Sequence, residues 1–152
     1  MNGRLKPAIL ALSASALVGI AVHEGYRGEA YEPVMGDVPT IGFGTTEGVE
    51  MGDRITPERA LVRLLSDANK FERAVKRCAP VPMHQYEFDA YVSLTYNIGE
   101  NAFCKSTLVK LLNQHKYEEA CQQILRWDKF KGLALPGLTK RRQEEFKQCL
   151  GY

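Results

Sequence analysis

The chain has 152 residues, 45% of them apolar and 25% charged, with a formal net charge of +2. That length accommodates one domain with its own core, without obligatory metal or disulfide staples. The near-neutral balance excludes a strong electrostatic case for nucleic acid, although a mildly basic surface suits a polyanionic substrate.

In chain order, Met1–Lys6 carries Arg4 and Lys6, and Pro7–Val22 follows for sixteen residues without a charge. Positive then apolar is the order of an export signal. The stretch is short for a full span of about 20 residues, and five alanines, two serines and a glycine dilute it. Residues 1–22 read as a marginal, uncleaved signal anchor in helical form. The competing reading is a buried N-terminal helix. Residues 23–152 are then the rest of the molecule.

Ala30–Thr46 holds three glycines and two prolines among Val, Ile, Tyr, Phe and Thr. It reads as short strands joined by turns, with Met35-Gly36-Asp37 as a turn. Thr56-Pro57-Glu58 is a helix start: Thr caps, Pro fits the first helical position, and Glu meets the positive end of the dipole. Leu61, Leu64, Leu65, Ala68, Phe71 and Val75 then recur at helical spacing up to Cys78-Ala79-Pro80. Four further helices are expected over Met83–Ile98 (ending at Gly99), Phe103–Asn113, Tyr117–Trp127 and Leu138–Leu150 (ending at Gly151). The fold class is α+β and mostly helical, with a small hairpin region near the N-terminus.

Cys78, Cys104, Cys121 and Cys149 contain no C-x-x-C pair, which argues against a zinc or thioredoxin-type site. Two disulfides with any of three pairings, or four thiols, remain open. Lys70, Arg73, Lys76 and Arg77, and Lys140, Arg141 and Arg142, form two basic clusters that read as solvated helix faces. His84 and His115 lack metal-ligand spacing, so no metal or cofactor is expected. G-F-G at 42–44 lacks the following helix and lysine of a phosphate loop.

Glu24 lies at the end of the first apolar helix, just before the hairpin, and Asp37 lies on the hairpin turn. Paired carboxyls flanking a bond are the arrangement for glycoside hydrolysis, but any Glu and Asp near a hairpin could be so described. The sequence strings say more. "HEGYRGEAY", "GDVPTIGFGTT", "LTYNIGENAFCKSTLVKLLN", "ILRW" and "GLTKRRQEEFKQCL" together resemble the phage-type lysozymes, in order across about 125 residues. The N-terminus resembles their signal-anchor-release branch.

The resemblance implies a lysozyme-like fold with a small N-terminal β-hairpin lobe and a larger helical C-terminal lobe. It implies a monomeric, cofactor-free muramidase that hydrolyses the β-1,4 bond between N-acetylmuramic acid and N-acetylglucosamine in peptidoglycan, with inversion. It further implies export by the host machinery, inactive tethering in the inner membrane through Pro7–Val22, and release into the periplasm. No cysteine lies in the anchor, so a thiol switch there is excluded. Glu24 in E-G-x-R matches the proton donor, and Thr40 in P-T-I-G matches the threonine that positions water. The second acid departs from the pattern: the expected position, nine residues past Glu24 and soon after Tyr31, holds Pro33. Asp37 is the preferred second acid and Glu32 the alternative. Arg142 is either a neighbour of the catalytic glutamate or a surface arginine. Asn97 and Ser106-Thr107 are either cleft-lining or, for Thr107, helix-capping; His23 is either a support for Glu24 or an ordinary helix-end histidine. The rival functions are a lytic transglycosylase on a related fold and a non-enzymatic peptidoglycan-binding module.

Overall fold

The computed structural model describes residues 3–152; Met1 and Asn2, part of the expected charged start, lie outside them. The elements in order are α1 (Ala14–Glu24), β1 (Arg27–Tyr31), β2 (Thr40–Gly42), α2 (Pro57–Cys78), α3 (Gln85–Ile98), α4 (Glu100–Cys104), α5 (Thr107–Asn113) and α6 (Tyr117–Gln123). A 3₁₀ turn (Ile124–Arg126), β3 (Lys129–Phe130), β4 (Leu133–Ala134) and α7 (Pro136–Cys149) complete the chain. The α+β, mostly helical class is as expected. The chain divides into a hairpin unit, Leu17–Asn69, and a helical unit, Lys70–Tyr152 together with the described residues up to Ala16.

In the hairpin unit, β1 and β2 are antiparallel, with Tyr31 opposite Thr40, Arg27 opposite Gly42, and a shift of register between them. The other edge of β1 is bonded by the 53–55 segment, through Ala30 N to Asp53 O and Ile55 N to Gly28 O, each 2.9 Å. The expected turn forms: Asp37 N donates to Val34 O at 2.9 Å, and Gly36 supplies a φ of +83° between them. G-F-G is a tight turn, in which Ile41 and Thr45 exchange both backbone bonds. A Cβ on Gly42 would lie 3.0 Å from the Ala60 Cβ, at a φ of +65°, so close approach to α2 demands glycine here. Thr56 caps α2 weakly, accepting from Arg59 N at 3.4 Å. Leu64, Ala68 and Val75 are buried, whereas Leu61 and Leu65, on the same predicted apolar set, are nearly half exposed.

The helical unit has one apolar core, including Leu10, Met83, Phe88, Tyr91, Leu94, Phe103, Leu108, Leu112 and Ile124. Burial raises the Tyr91 hydroxyl pKa well above its usual value. All four cysteines pair within this unit, as Cys78–Cys104 and Cys121–Cys149. The bridges span 26 and 28 residues, and closing loops of that length stabilises by about 3.5 kcal/mol each on chain entropy.

Four expectations need correction. The helix expected over Pro7–Val22 starts only at Ala14, because Ser13 caps it: Ser13 Oγ accepts from Ala16 N at 3.2 Å. Before it, Leu5 pairs with Met83 and Leu10 enters the core. No helix among the described residues is long and apolar enough to cross a membrane. The single helix expected over Phe103–Asn113 is two, because Ser106 accepts from Val109 N at 3.2 Å and starts a new helix; Thr107 is therefore its first residue, not its cap. The Tyr117–Trp127 helix tightens to 3₁₀ at Ile124. The β3–β4 hairpin was not anticipated: Lys131 and Gly132 both have positive φ, 51° and 80°, the signature of a two-residue primed turn.

Candidate active site

The local sequence sets each candidate in the hairpin unit. α1 runs eleven residues and ends at Glu24. Gly25, at a φ of +70°, closes it by donating to Ala21 O at 3.0 Å, a glycine stop after the last helical residue. The chain leaves directly into β1, so Glu24 stands half-buried at the junction of helix and hairpin. His23, beside it, is exposed. Tyr26, just beyond, donates its hydroxyl to Ile55 O at 2.6 Å and rests its ring 5.7 Å from that of Phe43. This ties the helix exit to the hairpin unit.

Thr40 opens β2 and is 6% exposed, its Oγ1 donating to Val38 O at 3.2 Å. Pairing sets it across from Tyr31. Glu32 and Asp37 are both exposed on the connection between the strands. Asp37 Oδ1 accepts from Val38 N at 3.0 Å, and Glu32 Oε2 accepts from Gly36 N at 3.1 Å. Each acid thus makes one backbone bond in the same loop. Asp37 stands three residues before Thr40, while Glu32 follows the tyrosine that Thr40 faces.

The candidates of the helical unit are brought together in pairs. Arg142, expected either as a neighbour of Glu24 or on the surface, is fully buried, so the surface reading is corrected. Its Nη1 donates to Asn97 Oδ1 at 3.0 Å and to Trp127 O at 3.3 Å, and its Nε lies 2.7 Å from Glu145 Oε2. Glu145 Oε1 also accepts from Ser93 Oγ at 2.8 Å and Arg141 Nε at 3.2 Å. Two arginines of the expected solvated cluster are therefore turned inward against one carboxylate. Lys70, Arg73 and Arg77 of the other cluster are exposed as expected. His84 stands at the start of α3, stacked on Tyr86 with centroids 4.8 Å apart.

Ser106 and Thr107 line a cavity of about 330 Å³ with Lys105, Gln123, Arg126 and Trp127. Lys105, Arg126 and Trp127 fall inside the quoted strings but, like Gln123, were not singled out as cavity residues, because two helices and a 3₁₀ turn supply them and no spacing links them. A second cavity, about 490 Å³, is lined in the hairpin unit by Ile41, Asp53, Arg54, Ile55, Arg59, Val62 and Arg63.

The phage lysozyme family model matches residues 21–145, from just before Glu24 through Glu145. The SAR-endolysin of Pseudomonas phage phiKMV is 39% identical over 154 residues, covering 99% of this chain and 93% of that protein. Among solved structures, the endolysin from Escherichia coli O157:H7 phage FAHEc1 has a TM-score of 0.83 at 39% identity, covering 94% of this chain and 95% of its own. The muramidase domain of SpmX from Asticaccaulis excentricus has a TM-score of 0.87 at 31% identity, covering 94% and 99%. With a helix-end glutamate feeding a hairpin, a buried threonine on its second strand and a family match across both, this chain belongs to the phage lysozyme family.

Proposed function

We propose that this muramidase, an endolysin that lyses peptidoglycan, works by single displacement with Glu24 as the acid, Asp37 as the base and Thr40 as the residue that positions water. Glu24 gives its proton to the glycosidic oxygen as the bond to the N-acetylmuramic acid anomeric carbon breaks. A water on the opposite face of that carbon attacks, losing its proton to Asp37, so the new hydroxyl has inverted configuration and forms a reducing end. Such a reaction needs carboxyls about 6.5–9.5 Å apart, leaving room for the water.

The observation that carries this reading is the placement of Glu24 at a glycine-closed helix end, with the hairpin following at once. Backbone geometry holds the acid there without occupying a loop that must also bind substrate. Thr40, buried with its hydroxyl bonded to Val38 O just before its strand, has a fixed direction from which to hold water. Asp37, exposed and three residues earlier, has the freedom to reach the same water. Glu24→Gln should lower the rate of turbidity loss of outer-membrane-permeabilised cells by about 10²–10⁴, the usual worth of a general acid. Asp37→Asn should fall in the same range. Full activity in Asp37→Asn with loss in Glu32→Gln would transfer the second role to Glu32. Anhydro ends in place of reducing ends would make the enzyme a transglycosylase instead.

The same reading includes a tethered state. Before release, Pro7–Val22 lies in the host inner membrane, where Glu24, two residues past Val22, is held at the surface and away from the wall. After release the enzyme is periplasmic. Arg4 and Lys6 ahead of a weakly apolar stretch support this, as does the name of the phiKMV relative. Fractionation before and after collapse of the membrane potential tests it: a chain soluble throughout contradicts tethering.

A further inference from the structure

The segment that precedes α1 is held by a run of hydrogen bonds, all to α2, α3 or the residues just before α3. Arg4 makes a forked ion pair with Glu87, Nη2 to Oε1 at 2.7 Å and Nε to Oε2 at 3.1 Å. Its guanidinium carbon lies 3.7 Å from the Tyr117 ring centroid. Leu5 and Met83 exchange backbone bonds of 2.8 and 2.9 Å. Gln85 Nε2 reaches Ala11 O at 2.7 Å and Asp89 Oδ1 at 2.9 Å. Leu12 N donates to Glu72 Oε1. Ser13 gives both its donors to Asp89, the amide to Oδ1 at 3.0 Å and the hydroxyl to Oδ2 at 2.7 Å. Between these anchors Leu10, 2% exposed, enters the core.

We propose that Glu87 and Asp89 are a receptor built for the extracted tether, and that they hold the enzyme in its released state by binding Arg4 and Ser13. The proposal rests on the tether reading above. Glu87 and Asp89 are only 3% and 4% exposed. Buried carboxylates are tolerated where charged or multiple donors meet them, and here the segment supplies the cation and two of the donors. The other donors are local: His84 N at 2.8 Å on Glu87 and Gln85 on Asp89.

These bonds are specific to one state. While Pro7–Val22 spans the bilayer, Ser13 lies within it and Arg4 on its far side, so neither can reach α3. An interaction present in one state alone is what shifts an equilibrium between two. The forked geometry also selects arginine, since a lysine presents no planar pair of donors. Leu10 supplies nondirectional burial, and the two carboxylates fix its register.

The test uses the full chain exported in a bacterial host, with the soluble-to-membrane ratio followed after the membrane potential is collapsed. The double variant Glu87→Gln, Asp89→Asn should lower that ratio about tenfold, the worth of one charged hydrogen bond. The activity per molecule of its soluble fraction should stay within about twofold of the parent, because neither residue belongs to the proposed catalytic set. A parent chain that moves from membrane to soluble, with a double variant that moves equally, overturns the receptor and leaves tethering intact. A parent chain that is never in the membrane overturns tethering, and the receptor's role in release with it. Should the double variant misfold, Ser13→Ala removes a donor from the segment side alone. In that soluble protein, amide exchange at Leu5 and Leu12 should accelerate about tenfold while the interior of α3 keeps its protection. Unchanged exchange at both amides counts against the receptor.

Discussion

The hairpin unit and the helical unit solve different problems with different chemistry. The helical unit holds both disulfides, the continuous apolar core and the buried Arg141–Arg142–Glu145 network. The hairpin unit has none of these. It relies on short strands, glycine turns and the parts of α1 and α2 that pass through it, with a smaller set of buried residues such as Ile20, Ile41, Thr40 and Leu64, and its loop exposes Met35 to 96% and Val38 to 59%. The proposed acid, base and water-positioning residue all belong to it. Stability is thus concentrated in one unit and the proposed chemistry in the other, which fits the general pattern that reactive loops are drawn from the less stable parts of a fold.

The largest test of this contrast is Arg142→Ala. It leaves Glu145 buried with its nearest ion-pair partner gone, and such breakage costs about 3–5 kcal/mol. Denaturant midpoints should fall accordingly; a loss below about 1 kcal/mol would mean the network contributes little, on the same scale. Next comes Cys121→Ser with Cys149→Ser, expected to cost about 3.5 kcal/mol. Amide exchange should show the loss in α6 and α7, with the β1–β2 bonds unaffected. If β1–β2 loosens equally, the division into a stable and a reactive unit fails.

Gly42→Ala works in the other direction. A methyl group at a positive φ, 3.0 Å from the Ala60 Cβ, should cost about 1–3 kcal/mol. Since Thr40 lies two residues away on the same strand, wall-lysis activity should drop while exchange in α3 stays as it was. The smallest effect is expected of Thr56→Ala, which removes a long capping bond and should cost about 0.5–1 kcal/mol, read as a small shift in thermal midpoint.

What could be read from the sequence was local. Thr56-Pro57 begins α2, Gly99 and Gly151 follow helix ends, and Met35-Gly36-Asp37 turns, because caps and turns depend on neighbouring residues. The disulfide pairing was not readable, since it depends on which helix ends meet in space. The irregular path before Ala14 was hidden for a related reason: its apolar composition suits a helix, but Asp89 and Glu87, more than 70 residues away, capture it first. Strands of two residues, such as β3 and β4, leave no periodicity to detect. Leu61 and Leu65 show that a residue can keep helical spacing and still stand at the edge of the buried stripe. In the candidate site, Glu24 and Thr40 were identified by resemblance to family motifs, not by spacing. The second acid was not readable from spacing, because an eight-residue connection between paired Tyr31 and Thr40 imposes no register on its middle.

Both disulfides join residues between Cys78 and Cys149, wholly outside the first 69 residues. Cross-linking in an oxidising compartment therefore needs nothing from the N-terminal segment. The framework carrying Glu87 and Asp89 can be knitted while that segment is elsewhere, so in the proposed scheme the segment arrives as an intramolecular ligand whose Leu10 completes the core. The cysteine map thus allows oxidation to precede the proposed docking.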